Sequence, residues 1–203
     1  MKLAVFGTGQ VGSTIGSKLA SLGHDVVMGS RTPGDADARK LAETAGVRVA
    51  THAEAAEHGD WIFNALPGEY VLDTLKGCQI AGKILVDISN YNSAVDQPIA
   101  VPIGEAIQKA FPDVRVVKAL NSVSAHLMVD PAALGQRHSV FIAGNDAGAK
   151  AEVIGLLRDF GWQDIIDLGD VSATRAMEQL IPLWMRLEEH IDGPNFNLAV
   201  IRP

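Results

Sequence analysis

Three glycines set the first chemical clue: Gly7, Gly9 and Gly12, in the run Gly7-Thr8-Gly9-Gln10-Val11-Gly12. The run follows the apolar segment Lys2–Phe6 and precedes Val11, Ile15, Leu19 and Leu22, apolar residues at helical spacing. A glycine turn between a strand and a helix is a cradle for an anion. Gly7 permits the tight turn, Gly9 lets the backbone approach a pyrophosphate, and Gly12 lets the helix pack close to the sheet. Gly16, one turn later, extends that smooth face. The helix start then offers unpaired N–H groups and the positive end of its dipole, with Thr8, Gln10 and Val11 completing the loop. A bare glycine pattern is weakly specific; the strand before it and the helix after it raise its weight.

The second strand candidate decides which dinucleotide fits. A site for NAD carries Asp or Glu at the end of that strand to bind the ribose 2′-hydroxyl. Here the strand ends Gly29-Ser30-Arg31-Thr32, and no carboxylate follows before Asp35. Arg31 can make a charge-assisted fork to a 2′-phosphate, with the Ser30 and Thr32 hydroxyls as further donors. The reading is NADP(H).

Other chemistry is thin. The six histidines show no metal-ligand spacing, and Cys78 has no second cysteine to share a zinc, so no metal is expected. Ser122 and Ser124 lack a nucleophile elbow. His126 follows Asn121–Ala125 and reads first as a loop-packing residue, and Asn145-Asp146 as a helix start. Lys118 is the one lysine at a strand end that could act as a base; packing or anion attraction is the preferred role. No residue is assigned as catalytic. Hydride transfer between two cofactors suits that absence, because the cofactors carry the electronics and the protein holds their carbons together.

The elements that must position these residues alternate. Strand candidates are Lys2–Phe6, Asp25–Met28, Arg48–Ala50, Trp61–Asn64, Ile84–Asp87, Arg115–Val117, Ser139–Ala143 and Asp164–Asp167, with amphipathic helices between them. This is the pattern of an α/β fold of Rossmann type, a doubly wound and mostly parallel sheet. Residues 1–170 form the NADP-binding unit; 171–203 form a helix-and-strand appendix in the same compact unit, too small for its own core. There Met177, Leu180, Ile181, Trp184, Leu187 and Ile191 make an apolar stripe that Pro182 should kink, and Phe196–Ile201 reads as a strand needing a neighbouring edge. A homodimer built through this appendix is the expectation. Ser89–Pro102 is the most irregular stretch and reads as a functional loop.

Composition narrows the class. The 203 residues are 47% hydrophobic and 20% charged, as in globular proteins. A net charge of −7 argues against nucleic acid as partner. No apolar run approaches the roughly 20 residues that span a bilayer, so no membrane partner is expected. The first residues do not read as a signal peptide, and a lone cysteine fits a cytoplasmic location.

The runs GTGQVG and GHDVVMGSR resemble the family of deazaflavin-dependent NADP oxidoreductases, the coenzyme F420:NADP oxidoreductases. The likeness continues through Asn64-Ala65-Leu66-Pro67, Gly82–Asp87, Ser89-Asn90, Lys118-Ala119-Leu120-Asn121 and Phe141–Gly144, to about Trp184. The cytosolic domains of six-transmembrane ferric reductases are similar too. The resemblance implies that Thr8, Gly9, Gln10 and Val11 wrap the pyrophosphate while Ser30 and Arg31 hold the 2′-phosphate. Leu66 and Pro67 then lie along the adenosine and ribose. Asn90 and Ala119–Asn121 approach the nicotinamide and a second cofactor. It implies an NADPH-dependent oxidoreductase passing hydride to a deazaflavin- or flavin-type acceptor. The alternatives are a noncatalytic NADP sensor and a ferric-chelate reductase using a bound flavin. Hydroxyacid dehydrogenases share the turn but append a large helical substrate domain, for which the residues after Asp167 are too few.

Overall fold

A computed structural model describes residues 1–92, 99–191 and 193–203. The apolar runs become the strands of one sheet: β1 (Lys2–Phe6), β2 (Asp25–Ser30), β3 (Arg48–Thr51), β4 (Trp61–Asn64), β5 (Ile84–Asp87), β6 (Arg115–Ala119), β7 (Ser139–Ala143) and β8 (Asp164–Asp167). Five match their expected bounds; β2, β3 and β6 run one or two residues further. The helices are α1 (Gln10–Ser21), α2 (Ala36–Ala45), α3 (His52–His58), α4 (Gly68–Lys76), α5 (Ile103–Ala110), α6 (Ala125–Val129), α7 (Ala147–Asp159), α8 (Thr174–Glu178) and α9 (Ile181–His190).

The strand order is β3-β2-β1-β4-β5-β6-β7-β8. Strands β1 to β6 run parallel; β7 is antiparallel to β6, and β8 runs parallel with β7. The expected doubly wound, mostly parallel sheet is therefore observed. Successive side chains on a strand face opposite ways, so β1 feeds two cores. Leu3 and Val5 pack with Ile15 and Leu19 of α1; Ala4 and Phe6 pack with Ala55 of α3 and Val71 and Leu75 of α4. Helix starts follow side-chain chemistry. Asp35 accepts from Ala38 N at 2.8 Å, Thr51 and Glu54 form a capping box, and Asp146 accepts from Ala149 N at 2.8 Å, as read from sequence.

The appendix differs from its expectation in three respects. Pro182 does not kink a helix: the chain breaks between α8 and α9, and Pro182 lies in the first turn of α9, where its missing N–H costs nothing. The stripe is turned inward at Met177 and Ile181, both buried against this chain's own core. Phe196–Ile201 is not a strand. It lies along β7, its polar groups met internally by Ser139 N to Leu198 O at 2.9 Å, Asn197 Nδ2 to Ser139 O at 3.0 Å and Val200 N to Ser139 Oγ at 2.9 Å. The segment does not need a second subunit's edge. Of the irregular stretch Ser89–Pro102, residues 93–98 lie outside the described residues.

One buried polar network ties the strand ends together. Lys118 of β6 is fully buried, and its ammonium donates to Asp87 Oδ2 at 2.8 Å and Ser89 O at 2.6 Å, with Glu178 Oε1 at 3.1 Å. The ammonium thus donates two hydrogen bonds and pairs with two carboxylates, all inside the protein. Asp87 also accepts from Asn64 Nδ2 at 2.8 Å and Ser89 Oγ at 2.6 Å. Glu178 accepts from Ile103 N at 2.9 Å and Gly104 N at 3.2 Å, the opening turn of α5. Burial pushes the Glu178 carboxyl upward from its ordinary range, and the Lys118 charge opposes that shift.

Removing the ammonium strands two buried carboxylates. Lys118→Met should lower the unfolding free energy by about 3–5 kcal/mol in urea titrations, and adding Glu178→Gln should recover part of it. An unchanged midpoint for the single variant would exclude the network as a stabilising element. A second prediction concerns Asp164, which accepts from Ser139 Oγ at 2.6 Å and pairs with Arg202 at 2.5 Å. The Ser139 hydroxyl chiefly, then the Arg202 charge, hold its carboxyl below the ordinary 3.8. A depressed acid stabilises above its unfolded pKa and loses that contribution as pH falls through the folded one. Amide exchange at Ser139 and Val200 should therefore accelerate as pH drops below about 3.8, and Asp164→Asn should abolish that dependence.

Candidate functional site

The turn after β1 is shaped by contacts that exclude side chains. Gly7 sits at φ 103, and a Cβ there would lie 2.9 Å from Ala65 O. A Cβ on Gly12 would lie 2.0 Å from Gly7 O, so only glycine allows the helix to start this close. Gly16 likewise touches Met28. Gly9 is different: its backbone is ordinary extended, φ −74 and ψ −171, and nothing stands within 4 Å of an added Cβ. The empty side of Gly9 is open to solvent at the helix start. The bond from Ser13 N to Gly9 O, at 2.9 Å, is the first of α1, so the N–H groups of Gln10, Val11 and Gly12 face out of the helix end. These features fit a diphosphate cradle.

At the end of β2, Ser30 is buried and its hydroxyl accepts from Thr32 N at 3.1 Å. Arg31 is exposed, its guanidinium 5.9 Å from the centre of the Tyr70 ring. Thr32 departs from its expected role. Its hydroxyl donates to Asp35 Oδ2 at 2.6 Å and serves the start of α2, leaving no proton for a phosphate. Beyond β3, His52 packs edge-on against Phe6 at 5.1 Å. Burial first, then the Arg31 charge, lowers its pKa and favours the neutral ring. Leu66 and Pro67 follow β4 directly opposite Gly7, with Leu66 Cδ2 at 3.7 Å from the Cβ position there.

The ends of β5 and β6 meet through two asparagines. Asn90 Nδ2 donates to Asn121 O at 2.7 Å, and Asn121 Nδ2 donates back to Asn90 Oδ1 at 3.0 Å and to Met177 O at 3.0 Å. Between β6 and Asn121 the buried Leu120 adopts φ 62, a strained conformation for a residue of its size. That kink turns Asn121 across the strand ends. Among the described residues, Asn121 Oδ1 is buried without a hydrogen-bond partner. Ala119 is also brought to this end, but its side chain is fully buried in the core, so only its backbone borders the site.

Between the phosphate turn and the asparagine pair lies a cavity of about 320 Å³, bordered by Gln10 and Val11 on one side and Asn90, Asn121 and Trp184 on the other. Trp184 leans on Phe196, ring centres 5.5 Å apart, and its Nε1 is buried without a partner. His126 does not border this cavity; it is exposed, with Nε2 3.4 Å from Asn195 Oδ1 on the tail. Cys78 lies away from it, its thiol donating to Thr74 O at 3.3 Å and pushed up by burial. Among the described residues no group of three His, Cys, Asp or Glu could hold a metal, and no helix is long and apolar enough to cross a membrane.

Sequence reasoning missed Tyr70, Glu178 and the cavity role of Trp184. A signal existed for Glu178, the one acid inside the apolar stripe from Met177 to Ile181. None existed for Tyr70, whose contact with Arg31 joins elements far apart in the chain.

Comparison with known proteins gives the family. Residues 2–91 match the family described as NADP oxidoreductase, coenzyme F420-dependent. A solved structure from Arthrobacter sp. FB24, provisionally described as an F420-dependent NADP-reductase, is 41% identical over the whole of both chains, with a TM-score of 0.92. The F420-dependent NADP reductase of Methanocaldococcus jannaschii is 28% identical over 92% of each chain. The metalloreductase STEAP3 of Rattus norvegicus is 30% identical over 90% of this chain, which spans only 38% of that protein's length. The cradle, the strand ends and these likenesses together place the chain in the family of coenzyme F420-dependent NADP oxidoreductases.

Proposed function

We propose that this protein binds NADP(H) along the strand ends and passes hydride between its nicotinamide and a deazaflavin-type ring in the Trp184 cavity. The observation that carries the reading is continuity. Gln10 and Val11 open α1 over the phosphate cradle and also border the cavity, so one extended ligand can span both. In this reading the N–H groups of α1 hold the pyrophosphate, and Ser30 and Arg31 hold the 2′-phosphate. Tyr70 steadies the guanidinium, and Leu66 and Pro67 flank the adenosine side. Asn90 and Asn121 orient the nicotinamide, whose carboxamide can satisfy the orphaned Asn121 Oδ1.

The nicotinamide supplies the hydride chemistry when bound. The chain contributes alignment and exclusion of water: Trp184 on Phe196 forms one wall, and Lys118, held by Asp87, Ser89 and Glu178, fixes the strand ends beneath the site. Residues 1–170 then act as the NADP-binding unit, with 171–203 walling the acceptor side. A deazaflavin is preferred over a flavin because the family and its similar reductases carry that acceptor in their names. We further propose a cytoplasmic homodimer. Its interface is the outer side of α9, where Leu183 is exposed, rather than an exchanged tail strand.

Two variants test the cofactor half. Arg31→Ala should weaken NADPH about 10–150-fold, the loss of a charge-assisted contact of roughly 1.5–3 kcal/mol, while NADH binding barely changes. Equal losses for both cofactors in fluorescence titrations would reject the assignment. Gly9→Val should fold with a thermal midpoint near that of the parent, because the space beside Gly9 is open, yet lose NADPH binding. Retained binding in a folded Gly9→Val would place the pyrophosphate elsewhere. Transfer itself is read with NADPH deuterated at C4, either face in turn, and a deazaflavin acceptor. Label appearing in the reduced ring supports the reading, and its absence from both faces opposes it.

A further inference from the structure

The cavity bordered by Trp184 has an unusual charge. Of the 15 described residues that line it, Glu188 alone carries a formal charge at neutral pH, and it is acidic. The others are apolar residues, amides, Ser124 and Tyr91. Glu188 lies one helical turn beyond Trp184 on α9 and is half-buried, and among the described residues no hydrogen bond or ion pair is made to its carboxylate. The nearest cation along the helix does not neutralise it, because Arg186 Nη1 is bound to Glu189 at 2.9 Å. A half-buried carboxylate at the edge of a cavity lined by apolar residues and amides acts on whatever charge enters more strongly than it would in bulk water.

Resting on the reading that the nicotinamide reaches into this cavity beside the acceptor ring, we propose that Glu188 is a specificity-determining residue that favours the oxidised, cationic nicotinamide over the reduced, neutral one. The chemistry needs a partner for that charge. When hydride leaves C4 with both electrons of the C–H bond, the neutral dihydropyridine becomes a pyridinium. The acceptor gains those electrons, the hydrogen and one negative charge, which a solvent proton neutralises on the reduced ring. NADPH is oxidised and the acceptor reduced, and the new positive charge appears within the cavity. Glu188 is the group there that opposes it with the opposite sign. Its effect is to bind NADP⁺ more tightly relative to NADPH, and so to shift the bound equilibrium toward acceptor reduction.

The test is a set of equilibrium titrations on the full chain with NADP⁺, NADPH and 2′,5′-ADP, the last lacking the nicotinamide. Glu188→Gln should weaken NADP⁺ about 3–10-fold, with NADPH changed less than about twofold and 2′,5′-ADP unchanged. Glu188→Asp should keep most of the wild-type discrimination, and added salt should shrink the wild-type difference. Equal shifts for NADP⁺ and NADPH, or no shift in either, would overturn the proposal. Ala125→Phe separates failure of the underlying reading, since Ala125 borders the same cavity. If it leaves both dinucleotides binding as in the parent protein, the nicotinamide lies elsewhere. If it weakens both while Glu188→Gln changes nothing, the placement stands and the charge assignment falls.

Discussion

A lysine ammonium with no access to water must be met by acceptors on every side, and that requirement organises the end of the sheet where the site lies. Lys118 draws in Asp87 from β5, the Ser89 carbonyl from the loop after β5, and Glu178 from α8. Each partner then fixes something else. Asp87 holds Asn64 at the end of β4, and Glu178 holds the first turn of α5 through Ile103 and Gly104. Three strand ends, a helix start and the C-terminal segment are thereby locked in one relation. The loops bearing Leu66, Asn90 and Asn121 all leave from those strand ends. Rigidity beneath them is what allows short loops to hold a fixed geometry.

The opposite side of the site is governed by close approach rather than by charge. Gly12 against Gly7 O and Gly7 against Ala65 O leave no room for a methyl group, so the start of α1 sits as near the sheet as a backbone can. Between these two constraints runs Leu120, buried at φ 62. A bulky residue holds that conformation only when its surroundings overdetermine it, and here the Lys118 network on one side and the Asn90–Asn121 pair on the other do so. Strain at this point turns Asn121 toward the cavity, instead of letting β6 continue straight.

What could be read from the sequence follows from how local each signal is. The glycine turn, the strands and Arg31 in place of an acid are written within a few consecutive residues, and each appears where expected. Thr32 shows the limit: its type suits a phosphate, yet Asp35 three residues on claims the proton to start α2, a competition that residue type alone does not decide. The appendix failed for a related reason. Phe196–Ile201 has the alternation of a strand, but Ser139 and Asn197 supply the bonds that a second strand would have made. Glu178 and Tyr70 act through partners about 60 and 40 residues away, and no local pattern records such distances.

The C-terminal segment consequently matters more than its size suggests. It supplies Glu178 to the buried network, Met177 O to Asn121, and Trp184 with Glu188 to the cavity. Two short helices, α8 and α9, parted at Gln179 and Leu180, deliver these groups from within the same chain. That economy fits a reaction whose reactive carbons both belong to bound cofactors. In the proposed reading the groups to be positioned are two planar rings and the water they exclude, with no acid or base asked of the chain. On that reading, a wall of Trp184 on Phe196, with one carboxylate at its edge, defines where a ring lies and which charge it prefers.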